Sequence, residues 1–216
     1  MTLPLFAEEA HSRAVEAIGE QAFVLRGFAL AEARTILDAV AKIEEQSPFR
    51  HMQTPGGFTM SVALTNCGRF GWTSDRRGYR YSELDPLTGA RWPSLPGQVL
   101  RLARSASAAA GFPDFEPDAC LVNRYLPGSR LTLHQDRNER AFDAPIVSIS
   151  LGVPATFLFG GLERTEPAAR IPLRHGDVVV WGGVDRLRFH GVLPLKEAVH
   201  AEVGGYRLNL TVRRAG

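Results

Sequence analysis

Residues 147–151 read Val-Ser-Ile-Ser-Leu, and this short alternation decides the fold class. Side chains leave a strand on opposite faces in turn, so Val147, Ile149 and Leu151 point one way, Ser148 and Ser150 the other. Related runs lie on both sides: ACLVNRY (119–125), RLTLHQD (130–136), IVSISLGV (146–153), ATFLFGG (155–161), DVVVWGG (177–183), RLRFHGV (186–192) and YRLNLTVRR (206–214). They are short, and Pro, Gly and Asp break them. Many short strands at this spacing predict a sandwich or barrel, and a double-stranded β-helix (jelly roll) over 119–216 is the expected closure.

Upstream the period changes. In 30–45, Leu30, Ala33, Ile36, Leu37, Val40 and Ile43 recur at helical intervals, which predicts an amphipathic helix packed on a core. A second helix is predicted over 97–110, where Val99, Leu100, Leu102, Ala103 and Ala106 share a face and Gly111 offers a stop. The class is therefore mainly β with flanking helices (α+β). Between the helices, 47–96 mixes Pro and Gly with Phe, Trp and Tyr. So many turn residues argue against a regular core element, and so many aromatics against a solvated linker. A folded, loop-rich lid over something flat fits both.

The 216 residues suit one domain, and 44% hydrophobic with 22% charged residues is ordinary for a globular chain. No apolar run approaches the roughly 18 residues of a membrane span, so no membrane partner is expected. Glu8, Glu9, Glu16 and Glu20 with no apolar stretch argue against a signal peptide, and the expected location is cytoplasmic. Cys67 and Cys120 form no CxxC pair, which argues against a thiolate metal site or a disulfide framework. Charge is uneven: residues 1–46 hold four basic and eight acidic side chains, while 47–216 hold 21 and 15. A basic main body suits a polyanionic partner, although an arginine-rich composition alone also produces it.

Two His-x-Asp triplets occur. In His134-Gln-Asp136 the i and i+2 side chains leave a strand, or its end, on one face, so an imidazole and a carboxylate can share a metal. His175-Gly-Asp177 has Gly at its centre directly before VVVW, which is turn chemistry. A distant His190 would complete a two-His, one-carboxylate triad, the facial set that leaves positions open on iron(II). In the last strand Leu208, Leu210 and Val212 share one face; Arg207, Asn209, Thr211 and Arg213 share the other. That second face is either wet, as in many antiparallel sheets, or lines a barrel mouth and needs an anion such as the dicarboxylate 2-oxoglutarate.

From about residue 20 to the C-terminus the chain resembles the AlkB family of DNA and RNA dealkylating oxygenases. The resemblance is carried by SPFRHMQTPGGFTMSVALTNCG (47–68), PDFEPDACLVNRY (113–125), LHQD (133–136), APIVSISLG (144–152), FGGL (159–162), HGDVVVWGG (175–183) and NLTVR (209–213). It implies His134, Asp136 and His190 as catalytic iron ligands, with His175 and Asp177 structural. It implies that Asn123, Tyr125, Arg207, Asn209 and Arg213 hold 2-oxoglutarate, with Arg207 at the distal carboxylate. It implies 47–96 as a nucleotide-recognition lid on a single 1–216 domain. Trp72 would stack on a flipped base against His134, with Tyr79, Tyr81, Asn138 and Arg164 nearby. Two departures stand out: Asn138 replaces an acidic residue near the base's exocyclic amine, and Leu64 replaces a methionine. The implied reaction uses iron(II), 2-oxoglutarate and O2. It oxidises the N-methyl group of 1-methyladenine or 3-methylcytosine in DNA, preferably single-stranded, and releases formaldehyde, succinate and CO2. A monomer is expected. Methylated RNA as substrate, or a non-catalytic jelly-roll binding protein, are the alternatives.

Overall fold

The computed structural model describes residues 14–216; His11 and most of the segment read for a signal peptide lie outside the described residues. The elements are β1 (Val15–Ala17), β2 (Ala22–Leu25), α1 (Ala33–Gln46), β3 (Ala63–Gly68), β4 (Gly71–Asp75), β5 (Gly78–Ser82), α2 (Gly97–Ala109), β6 (Ala119–Tyr125), β7 (Leu131–His134), β8 (Ile146–Gly152), β9 (Ala155–Phe159), β10 (Ala169–Leu173), β11 (Val178–Trp181), β12 (His190–Val192) and β13 (Arg207–Arg213). A seven-stranded sheet runs β1-β2-β11-β8-β13-β6-β3, a four-stranded sheet runs β10-β9-β12-β7, and β4 and β5 form a separate hairpin. The mainly β jelly roll with two flanking helices is thus the observed architecture.

The alternation in β8 and β13 explains the layering. Val147, Ile149, Leu151, Leu208, Leu210 and Val212 lie in one cluster with Ile36, Val40 and Ile43 of α1 and Val99, Leu102 and Ala106 of α2. The helices therefore cover the outer face of the large sheet. A second cluster joins Val24, Ile146, Val179 and Trp181 of that sheet to Phe157, Phe159, Ile171 and Val192 of the small one. Ser148, Ser150, Arg207, Asn209, Thr211 and Arg213 are all buried, so the polar face of these strands points between the sheets and not to water. Of the two readings of the last strand, the barrel interior is the observed one.

Six strands, β1 to β5 and β10, went unread in the sequence. β3 lies inside 47–96, where the turn residues had argued against any core element, yet it is the edge strand of the large sheet and is buried over nearly its whole length. Its polar residues find local partners: Thr65 Oγ1 donates to the Ser47 carbonyl at 2.6 Å, and Asn66 brackets Trp72 with two backbone bonds at 2.9 and 3.0 Å. Buried and polar together, the strand shows no alternation. β10 escaped because it contains Pro172, which an edge strand tolerates. β2 pairs with β11, so the large sheet does not begin at 119. The rest of 47–96 is folded by side chains. Arg50 grips Asp85 through both terminal nitrogens (2.6 and 2.5 Å), and Trp92 Nε1 donates to the Ser82 carbonyl at 2.8 Å.

Cys67 and Cys120, far apart in sequence, are direct partners across β3 and β6, both buried free thiols. Ile149→Ala would empty a fully buried site between sheet and helices. It should lower stability by about 2–5 kcal/mol in urea unfolding, and a loss below about 1 kcal/mol would contradict this packing.

Candidate active site

β7 and β12 are neighbours in the small sheet, and their register sets His134 directly opposite His190. The two rings lie 4.4 Å apart, centroid to centroid. Gly191 permits the approach: a Cβ there would lie 2.6 Å from the Leu131 carbonyl oxygen. Asp136 follows β7 by two residues and turns back beneath the pair. Its Oδ1 lies 3.7 Å from His134 Nε2, and its Oδ2 lies 3.7 Å from His190 Nε2. The three ligating atoms all lie within 4.8 Å of one another, and among the described residues no other trio of such groups does.

The backbone sets the tautomers. His134 Nδ1 lies 2.9 Å from the Thr132 carbonyl, and His190 Nδ1 lies 3.0 Å from that of Arg188. A carbonyl only accepts, so each Nδ1 carries a proton and each Nε2 is left to face Asp136. Burial, reinforced by the neighbouring His134, depresses the His190 pKa to about 3, which keeps that imidazole neutral and able to ligate. Burial alone would raise the Asp136 carboxyl; Arg213 and then the two imidazoles overcome it and hold the group far below the usual carboxylate range. Arg213 reaches Asp136 Oδ2 with Nε at 3.0 Å and Nη2 at 2.6 Å.

The second triplet is a structural staple, as its turn chemistry suggested. Asp177 accepts from the backbone nitrogens of Gly27 and Arg174, both at 2.9 Å, and from Arg26 at 2.8 Å. His175 Nδ1 accepts from Gly152 N at 3.0 Å.

Beside the trio lies a buried polar wall from β6, β8 and β13. Arg207 sits opposite Tyr125 in register and stacks over its ring, 5.0 Å from guanidinium carbon to centroid. Its Nη2 donates to Ser150 Oγ at 3.0 Å, while the buried Nε and Nη1 have no hydrogen-bond partner among the described residues. Burial pulls this guanidinium below its ordinary pKa, with Tyr125 opposing. A buried cation with two free donors calls for an anion. Asn209 faces the same space, but its amide is taken: Nδ2 donates to Ser148 Oγ at 2.8 Å and to the Ile149 carbonyl at 3.1 Å, while Oδ1 accepts from Thr211 at 3.1 Å. Asn123 is buried across the strand from it.

Residues 21–213 match the family model of the 2OG-Fe(II) oxygenase superfamily. The chain is 55% identical to the alpha-ketoglutarate-dependent dioxygenase AlkB of Salmonella typhimurium, over 99% of this chain and 98% of that protein. The chain belongs to the AlkB family. It is 53% identical to the protein of the same name from Escherichia coli, over 93% of both chains. It also superposes on the solved structure of OsALKBH1 with a TM-score of 0.82 at 28% identity, covering 93% of this chain and 100% of that one.

An AlkB-family chain is an iron(II)- and 2-oxoglutarate-dependent dioxygenase, and this one has the residues for both groups. Two imidazoles and a carboxylate are the donor set that suits iron(II). The orphaned Arg207 nitrogens suit a carboxylate.

Of the remaining predicted residues, Trp72, Tyr79, Tyr81 and Asn138 gather at the hairpin. Trp72 on β4 stacks on Tyr79 of β5 with centroids 5.5 Å apart, and its Nε1 donates to Asn138 Oδ1 at 3.1 Å. Tyr81 OH donates to Glu139 Oε1 at 2.7 Å. Burial pushes this phenol well above its ordinary pKa against the pull of Arg213, so it stays a donor. Arg164 is exposed, 5.9 Å from the Phe189 ring that precedes His190. Leu64 is buried in β3. Four polar residues of the site went unread. Ser148 and Ser150 hold Asn209 and Arg207, while Glu139 and Arg186 flank Asp136. The serines were visible in the β8 alternation; Glu139 and Arg186 carried no signal of their own.

His134→Ala and Asp136→Ala should each weaken Mn(II) or Fe(II) binding by more than the about 10–100-fold typical of losing an outer partner, and should abolish 2-oxoglutarate turnover. Calorimetry and succinate release would measure both, and a variant with full activity would refute the trio. Below pH about 6.5 the unfolded chain protonates His190, while the folded chain refuses that proton until about pH 3. Asp136, held low, acts in the same sense at more acid pH. The metal-free protein should therefore lose up to about 1.4 kcal/mol per pH unit from His190 as pH falls from 6 to 4, and His190→Gln should flatten that slope in urea midpoints.

Proposed function

We propose that this dioxygenase demethylates alkylated bases in DNA, with 1-methyladenine and 3-methylcytosine in single strands as preferred substrates, releasing formaldehyde, succinate and CO2. The observation that carries the reading is the aromatic hairpin. Trp72 and Tyr79 are stacked at a site tied by Asn138 to the segment just beyond Asp136, and His134 keeps a third of its side chain exposed while His190 is buried. A flat ring entering from that side meets aromatic faces before it meets the metal ligands. Base–aromatic stacking is worth about 1–3 kcal/mol per base and tolerates different bases. In this reading the part of 47–96 outside β3 serves as recognition lid on a single domain, with the inter-sheet core as reaction chamber.

When bound, iron(II), 2-oxoglutarate and O2 supply an oxidant strong enough to hydroxylate an N-methyl group, while the protein supplies orientation and a dry cavity. His134, Asp136 and His190 would hold the metal. Arg207 anchors the distal carboxylate, supported by Tyr125 and Ser150, and Asn123 and Arg213 border the chelating end. Asn209, already bonded within the sheet, holds the shape of the wall. Trp72 and His134 sandwich the base, with Tyr79, Tyr81, Asn138 and Arg164 at its edge. A methyl on the pairing edge weakens the duplex at that site, so extruding the lesion costs less than extruding an intact base. All the residues of this reading come from one chain, which fits a monomer, and a DNA substrate fits a cytoplasmic enzyme. Methylated RNA would meet the same aromatic faces and is the second reading.

Mass spectrometry of methylated DNA and RNA oligomers, after incubation with iron(II), 2-oxoglutarate and ascorbate, tests the proposal. The expected result is loss of the methyl group from single-stranded DNA; intact oligomers alongside 2-oxoglutarate decay would point to another substrate. Trp72→Ala should weaken binding of methylated single strands by about 5- to 150-fold, the equivalent of one base stack, and unchanged binding would remove Trp72 from the base site.

A further inference from the structure

One buried network joins the hairpin to the metal site, and the reading of the metal and co-substrate sites leaves part of it unused. Glu139 is buried although no iron ligand or co-substrate contact requires it there. Its Oε1 accepts the Tyr81 phenol at 2.7 Å and lies 3.3 Å from Arg213 Nε. The same Arg213 nitrogen donates to Asp136 Oδ2, so one guanidinium is shared between a metal-ligating carboxylate and the carboxylate that holds the hairpin. From the other side, buried Arg186 lies 3.4 Å from Glu139 Oε2 and donates to the backbone carbonyls of Asp136 (3.0 Å) and Ala144 (3.1 Å). Two carboxylates and two guanidiniums thus balance in charge, and Tyr81 is the one member that the hairpin contributes.

We infer that Glu139 is a positioning residue that couples the β4–β5 hairpin to Asp136, with Tyr81 as the hairpin's grip and Arg213 as the link. Ordering Asp136 orders the two residues that lead to Glu139, and a fixed acceptor retains the Tyr81 phenol longer. Conversely, a seated hairpin removes part of the ordering cost of metal binding. Such coupling is reciprocal: the factor by which metal protects the hairpin equals the factor by which the seated hairpin tightens metal binding. The inference rests on the metal trio alone. It stands or falls independently of the nucleic-acid reading, which oligomer demethylation tests separately.

The experiment uses the full, metal-free chain with Mn(II) alone as probe. Amide hydrogen exchange is followed by mass spectrometry over residues 71–82, with α2 as internal control, and Mn(II) affinity is measured by calorimetry. Mn(II) should slow exchange in 71–82 by about tenfold in the parent protein. Tyr81→Phe and Glu139→Gln should each lose most of that protection and bind Mn(II) correspondingly more weakly, with α2 unchanged. The double variant should be no worse than the more affected single one, because both remove the same contact. If Glu139→Gln does not fold, Tyr81→Phe, which removes only a hydroxyl, carries the test. Hairpin exchange indifferent to Mn(II), or equal Mn(II) protection and affinity in parent and Tyr81→Phe, would overturn the inference. A hydroxyl that merely stabilised the hairpin would raise its exchange without changing metal affinity.

Discussion

The contact between Arg213 and Asp136 is the constraint around which the site is built. Arg213 ends an interior strand of the large sheet, while Asp136 follows an edge strand of the small one, so their two hydrogen bonds span the inter-sheet space. Two charges removed from water keep their place only if each is met by the other and by further hydrogen bonds, and losing one partner of such a pair costs about 3–5 kcal/mol. The sheets are held at a spacing that keeps the carboxylate beneath both imidazoles. The same guanidinium favours the ionised, ligating form of Asp136.

That arrangement inverts the usual use of an alternating strand. Antiparallel sheets often bury the apolar face and wet the polar one. Here α1 and α2 cover the apolar face of β8 and β13, and the small sheet encloses the polar face. Enclosed polar groups must find partners. Ser148, Asn209 and Thr211 satisfy one another, whereas Arg207 keeps two nitrogens unmatched. The difference separates residues that build the wall from the one that expects a ligand.

Much of this was visible along the chain. The two helices lie within three residues of their periodic stretches, and β6 coincides with its run. His134, Asp136 and His190 were singled out by residue type, position and resemblance together. Other parts were hidden for identifiable reasons. β3 is buried with locally satisfied polar residues, so it looks like loop; β10 carries a proline that only an edge strand accepts. Glu139 and Arg186 look like surface charges, because nothing nearby in sequence shows that each would find the other indoors.

By itself, the sequence determined what repeats locally: strand and helix periods, the turn character of His175-Gly-Asp177, and the chemical kinds of residue available for a metal and an anion. Only the tertiary structure decided that both faces of β13 are buried, that Cys67 and Cys120 are neighbours, and that His190 stands opposite His134. Periodicity records which side chains share a face of one element. What that face looks onto depends on strand order and register between distant segments, and these are set when the sheets pair and close.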